Sequence, residues 1–113
     1  MRAGIRLACD VGKARIGMAR SDPNGLLAVP LDAVLAGENS VRQVSDIARE
    51  YEAIEIVVGL PISMSGARGP AALYTEEWVA RLLQVTDVPI RLHDERLTTV
   101  QAQRGLHEAG RKD

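Results

Sequence analysis

A chain of 113 residues with 46% apolar content has the length of one domain and enough aliphatic material for a core. Its net charge of −1 supplies no global basic field to draw in a polyanion. With no Phe, one Trp and two Tyr, it is poorly equipped to grip single strands by stacking bases on rings.

The first predicted strand is "GIRLACD", with Ile5, Leu7 and Cys9 on one face. The glycine of "VGK" turns the chain, and "RIGMARS" returns, so the first two strands form a hairpin. "LLAVPLDAV" is a third strand that Pro30 confines to an edge or a bulge. Ser40 with Gln43 has the spacing of a capping box and opens a helix through Val41, Val44, Ile47, Ala48 and Tyr51. "AIEIVVG" is nearly continuous in apolar content, as a strand covered on both faces would be. After the loop "LPISMSGARG", Pro70 suits the first turn of a second helix. Its predicted inner side is Leu73, Trp78, Val79, Leu82 and Leu83. "VPIRLHD" is a further strand, and Thr98 with Gln101 opens a third helix toward Leu106. The order is β-β-β-α-β-α-β-α, an α/β arrangement best satisfied by a mixed sheet with helices on its faces.

The lone cysteine, Cys9, rules out an internal disulfide framework and reads as a buried thiol in a strand. The N-terminus lacks a signal-peptide pattern, and no run is apolar enough to span a membrane. A cytoplasmic protein is expected.

Ligands of an open α/β sheet bind beyond the carboxyl ends of its parallel strands. Asp10 ends the first predicted strand, and Asp94 and Glu95 end the last. Acids from distant parts of the chain would then meet at one edge. Crowded carboxylates repel unless a cation neutralises them, and hard oxygen ligands select Mg²⁺ or Mn²⁺. Strand-terminal acids also serve simply to cap turns, and the residues alone leave both uses open. Asp22 reads as a turn residue with Pro23, Asn24 and Gly25 behind it. Lys13 and Arg15, in and after the hairpin turn, could contact a phosphate; Ser63 and Arg68 in the glycine-containing loop could do so or belong to an ordinary connection, and Arg96 after the last strand could hold a phosphate or form a surface ion pair. That loop lacks the GxxxxGK[ST] spacing of a nucleotide P-loop. His93 and His107 have no second His or Cys nearby and read as bystanders.

Three stretches, "DVGKARIGMARSD", "IVVGLPISMSG" and "HDERLTTVQA", stand in this order from residue 5 to residue 106. Together they resemble the YqgF/RuvX family, bacterial proteins of ribonuclease H-like fold described as Holliday junction resolvases and as pre-16S rRNA nucleases. The resemblance implies a nuclease that hydrolyses phosphodiesters with a divalent metal, Mg²⁺ or Mn²⁺, held by acids. By position Asp10 is the first-strand acid and Glu95 the second. Between the adjacent acids, Glu95 is preferred to Asp94 on this resemblance. The family's third acid lies on a further C-terminal helix that this chain does not show, so residues 1–113 are expected to form a single ribonuclease H-like domain without that helix.

The implied partner is nucleic acid, as structured RNA or branched DNA, recognised by phosphate contacts and shape. A homodimer is compatible with junction resolution. Two other readings share the fold: a non-catalytic RNA-binding or partner-binding module, and an ATP-handling domain of the actin-like or sugar-kinase-like kind, for which one lobe is too little.

Overall fold

The computed structural model describes residues 3–24, 27–63 and 65–94. Its elements are β1 (Arg6–Val11), β2 (Arg15–Ser21), β3 (Ala28–Leu35), α1 (Ser40–Glu50), β4 (Glu55–Leu60), α2 (Pro70–Leu83) and β5 (Ile90–Asp94). The third helix predicted from Thr98 lies outside the described residues. The strands form one mixed sheet in the order β3-β2-β1-β4-β5. β1, β2 and β3 pair antiparallel, whereas β1–β4 and β4–β5 are parallel.

Tight geometry closes the first hairpin. The Gly12 N–H donates to the Arg15 carbonyl at 3.0 Å. A Cβ at position 12 would sit 2.8 Å from that same oxygen, so only glycine fits without moving the backbone. Pro30 behaves as the sequence predicts: β3 is an edge strand, and its pairing with β2 shifts register between Ile16 and Met18. Asp22 does serve a turn, its Oδ1 accepting from the Leu27 N–H at 3.0 Å.

Strand alternation divides the sheet into two unlike faces. Leu7, Cys9, Ile16, Met18, Ile56 and Val58 point to one side and are buried there against Val41, Val44 and Ala48 of α1 and Trp78, Val79 and Leu82 of α2. Both described helices therefore pack on the same face. Each fully buried aliphatic side chain of this set contributes roughly 1.5–3 kcal/mol. Burial also pushes the Cys9 thiol up to about 12, which makes it an inert packing group rather than a nucleophile.

Two local expectations are corrected. Ser40 forms no capping box: the N-cap is Asn39, without a side-chain cap. Ser40 is instead buried, its hydroxyl donating to the Gly37 carbonyl at 2.7 Å and accepting from the Trp78 indole N–H at 2.9 Å. In α2, Leu73 and Leu83 are more than half exposed, and Ala72 and Thr75 take the inner positions. Trp78 and Leu82 set the helix phase, and small residues beside them let the helix approach the sheet.

The other face carries Arg6, Ala8 and Asp10 of β1, Glu55, Val57 and Gly59 of β4, and Arg91 and His93 of β5. The apolar run of β4 is therefore not sealed on both sides: its burial alternates, with Ile56, Val58 and Leu60 buried and Glu55, Val57 and Gly59 half-buried. Toward the amino ends of the parallel strands, Glu55 ties three of them together. It accepts from Arg6 Nε at 3.2 Å and from Arg91 Nε at 3.1 Å.

Hydrogen bonds from Arg91, with its charge and then Arg6, hold the Glu55 carboxyl below the usual glutamate range against the opposing effect of burial. A lowered folded-state value means that the link stabilises above the unfolded pKa, about 4.3, and is lost as pH falls through the folded value. Urea unfolding should therefore show Glu55→Gln destabilised at pH 7, with the gap to the parent protein closing below about pH 4. A gap that stays constant from pH 7 to pH 3 would refute the ionic account.

Candidate active site

β1 ends by delivering Asp10 to the edge where β1, β4 and β5 all have their carboxyl termini. The side chain is exposed on the face that no described helix covers. Its neighbours there are unusually small. Gly17 of β2 stands directly opposite Asp10. One residue beyond the Cys9–Val58 pair, Gly59 of β4 follows on the other side. Beyond Gly59, in register, comes His93 of β5.

Asp10, Gly17, Gly59 and His93 line an open trough of about 410 Å³ floored by Ala8, Ala19 and Val57. Among its described lining, Asp10 and His93 supply the only side-chain oxygen and nitrogen atoms. The floor is apolar and low, so a bulky anion can come close to the Asp10 carboxylate without meeting a side chain.

The remaining expected residues distribute around this edge. Lys13 lies in the hairpin turn immediately beyond β1 and is exposed. Arg15 opens β2, also exposed, and alternation with buried Ile16 puts it on the same face as Gly17 and Asp10. The loop after β4 leaves from this edge too. There Ser63 is engaged within the loop: its Oγ accepts from the Ala67 N–H at 3.1 Å and lies 2.9 Å from Ser65 Oγ. Gly66 adopts a φ of +92°, a left-handed turn suited to glycine. Arg68 is paired with Glu76 of α2. Glu95 and Arg96 lie outside the described residues, as does His107. Among the described residues, no three His, Cys, Asp or Glu side chains gather as a metal cluster.

Asp94 and His93 part company at the end of β5. Asp94 is in register with Leu60, whose side chain is buried on the helix-covered face. His93 faces the trough with Asp10, a placement that needs three strands in register and that the sequence alone does not show. The available signal is the alternation Ile90–Leu92 in "VPIRLHD", which sends His93 away from the core.

A family model described as "RuvX: Holliday junction resolvase" matches residues 4–113. The chain belongs to the RuvX family. The RuvX match takes in Asp10, the loop after β4 and the DERLTT stretch together. Named relatives agree with it. A protein of Clavibacter michiganensis named "Putative pre-16S rRNA nuclease" is 49% identical over 98% of this chain and 71% of its own length. One of the same name from Nocardioides is 49% identical over 98% of this chain and 75% of its own. A third, from Kineococcus radiotolerans, is 45% identical over 100% of this chain and 62% of its own.

The RuvX chain thus spans 62 to 75% of the length of these curated relatives. Among solved structures, T. thermophilus RuvC in complex with a Holliday junction substrate superposes with a TM-score of 0.58 at 14% identity, covering 80% of this chain and 64% of that one. That likeness establishes the ribonuclease H-like fold.

Proposed function

We propose that the protein is a divalent-metal-dependent endonuclease that hydrolyses phosphodiester bonds in structured nucleic acid. Ribosomal RNA precursor is the substrate favoured by the names of its relatives; branched DNA is the comparison suggested by the family description. The observation that carries the reading is the exposed Asp10 carboxylate at the carboxyl edge of three parallel strands, on an apolar floor flanked by two glycines.

Magnesium is ordinarily held by one or two carboxylates while keeping water and taking phosphate oxygens. An exposed carboxylate beside open space fits that demand, and Asp10 with Glu95 would hold the ion. When bound, a divalent ion supplies an activated water and neutralises charge on the leaving oxygen. Glu95 is preferred to Asp94 on the family resemblance, and Asp94 shares its register with Leu60, a residue of the helix-covered face.

The chain's own residues then position the strand. Lys13 and Arg15, exposed and without a salt bridge to another described residue, offer cations beside Asp10. Ser63, Arg68 and Arg96 would extend the phosphate contacts, Ser63 and Arg68 from the loop after β4. Asp10 and Glu95 are thus assigned the catalytic and metal-holding roles, and the basic residues the substrate-binding one.

The test is cleavage of a precursor-like structured RNA and of a four-way DNA junction by the full-length protein with Mg²⁺, with Mn²⁺ and with chelator. Cleavage that needs the metal is expected. Binding without cleavage under every condition would instead favour a non-catalytic nucleic-acid-binding module. Replacing Lys13 and Arg15 together by alanine should reduce the slope of log affinity against log salt by about 2 for duplex substrates, since each phosphate contact contributes about 0.9. An unchanged slope would remove them from the phosphate path.

A further inference from the structure

Four residues form one row across the open face: Gly17 on β2, Asp10 on β1, Gly59 on β4 and His93 on β5. Alternation fixes the row's direction, because Cys9, Met18 and Val58, one step before, are buried on the opposite side. With strands about 4.8 Å apart, Asp10 and His93 stand roughly 10 Å from each other at the backbone. The residue between them has no side chain. The result is a gap walled by a carboxylate on one side and an imidazole on the other, floored by the Gly59 backbone and lying within a single trough.

A structural role for His93 would require packing or a fixed internal partner. The described trough lining is mostly small or apolar, with Asp10 across Gly59, and no hydrogen bond joins the His93 ring to another described residue. With a cation neutralising Asp10, the gap would take a phosphate group, and the imidazole ring offers an N–H donor for it.

We propose that His93 is a substrate-contacting residue of this site: its ring N–H donates to a phosphate oxygen of the strand held against Asp10 across the Gly59 gap. The assignment rests on the nuclease reading of the same site, and extends it to a residue that supplies a hydrogen bond rather than charge or metal ligation. Hydrogen bonds to charged groups are the strong class, so loss of this one should weaken binding at least about tenfold.

The experiment compares His93→Ala and His93→Gln in the full-length protein, against the parent and Asp10→Asn. Affinity for a fluorescein-labelled hairpin RNA is read with Ca²⁺ in place of Mg²⁺, so that an ion neutralises Asp10 while cleavage is suppressed. Turnover and the Mg²⁺ concentration for half-maximal rate are read separately, with thermal unfolding as the control for folding. The expected pattern has four parts. His93→Ala binds at least tenfold more weakly. His93→Gln, which keeps an N–H donor, recovers most of that loss. Half-saturating Mg²⁺ is the same in parent and His93→Ala. All variants unfold within a few degrees of the parent.

Equal binding by parent and His93→Ala overturns the proposal, as does a glutamine variant no better than alanine. A shifted Mg²⁺ requirement in His93→Ala would make His93 a metal ligand and also overturn it. The two readings fail separately: RNA binding that depends on His93 in a protein that never cleaves sinks the nuclease and keeps the contact. Metal-dependent cleavage indifferent to His93 does the reverse. Filling the gap with Gly59→Val should reproduce the binding defect of His93→Ala without touching either side chain, and normal binding by that variant would argue that nothing seats there.

Discussion

Asp10→Asn should reduce cleavage by at least about 100-fold while leaving the fold intact. The substitution keeps the shape of the side chain and removes its charge. Because Asp10 is exposed at a strand end, and no described ion pair depends on it, stability should change by no more than about 0.5 kcal/mol. On the proposed mechanism the rate penalty is larger, because Asp10 would position a divalent ion whose electrostatic help is worth several kcal/mol, and each 1.36 kcal/mol is about a factor of ten. Gly17 sharpens the test. A Cβ there would lie 3.5 Å from the Asp10 Cβ, an ordinary contact, so Gly17→Ala should be tolerated where Asp10→Asn is not. Single-turnover rates at saturating Mg²⁺ for the two variants decide the matter. An asparagine variant that retains more than half of the parent rate would exclude Asp10 from the chemistry.

Trp78→Ala should cost about 3–5 kcal/mol of stability, the largest effect expected from any core position here. Trp78 is 1% exposed and is the largest side chain in the fully buried set. It also ties α2 to the start of α1 through Ser40. Small domains hold about 5–15 kcal/mol in all, so this one truncation consumes a large part of it. The polar link can be separated from the volume. Ser40→Ala strands the buried indole N–H and should cost about 1–3 kcal/mol. In Trp78→Phe that donor is absent, so adding Ser40→Ala should cost measurably less than it does in the parent. Urea midpoints with unchanged slopes would report these differences. A cost below 1 kcal/mol for Trp78→Ala would mean that the α1–α2 contact is not central to the core.

Local signals in the sequence carry the elements well. The Gly12 turn between two apolar runs, Pro30 on an edge strand and Pro70 at the start of α2 each act through backbone chemistry that one residue type dictates. The parallel pairing that brings strand ends to one edge follows from the alternation of helix and strand in the second half. Asp10 is legible for the same reason: it is an acid at the end of an apolar run. What escapes the sequence depends on partners far away in the chain. Ser40 looks like a helix cap because its true partner, Trp78, is 38 positions on. Leu73 and Leu83 look like core because helical spacing admits more than one phase, and only contact with the sheet selects Ala72 and Thr75. The Arg68–Glu76 pair is likewise invisible in the sequence, because it joins the loop after β4 to α2. His93 looks idle because its row with Asp10 exists only once three strands are in register.

With both described helices on one side of the sheet, neighbouring residues of β1 face two different surroundings. On β1, Leu7 and Cys9 sit in the core, while Ala8 and Asp10, each one step away, line the trough of the proposed site. From Leu7 to Asp10, deep mutational scanning should therefore alternate between heat-sensitive and activity-sensitive positions, whereas Arg6, tied to Glu55 on Asp10's face, should read as heat-sensitive. Raising the melting point through Leu7 and Cys9 should leave the phenotype at Asp10 almost untouched.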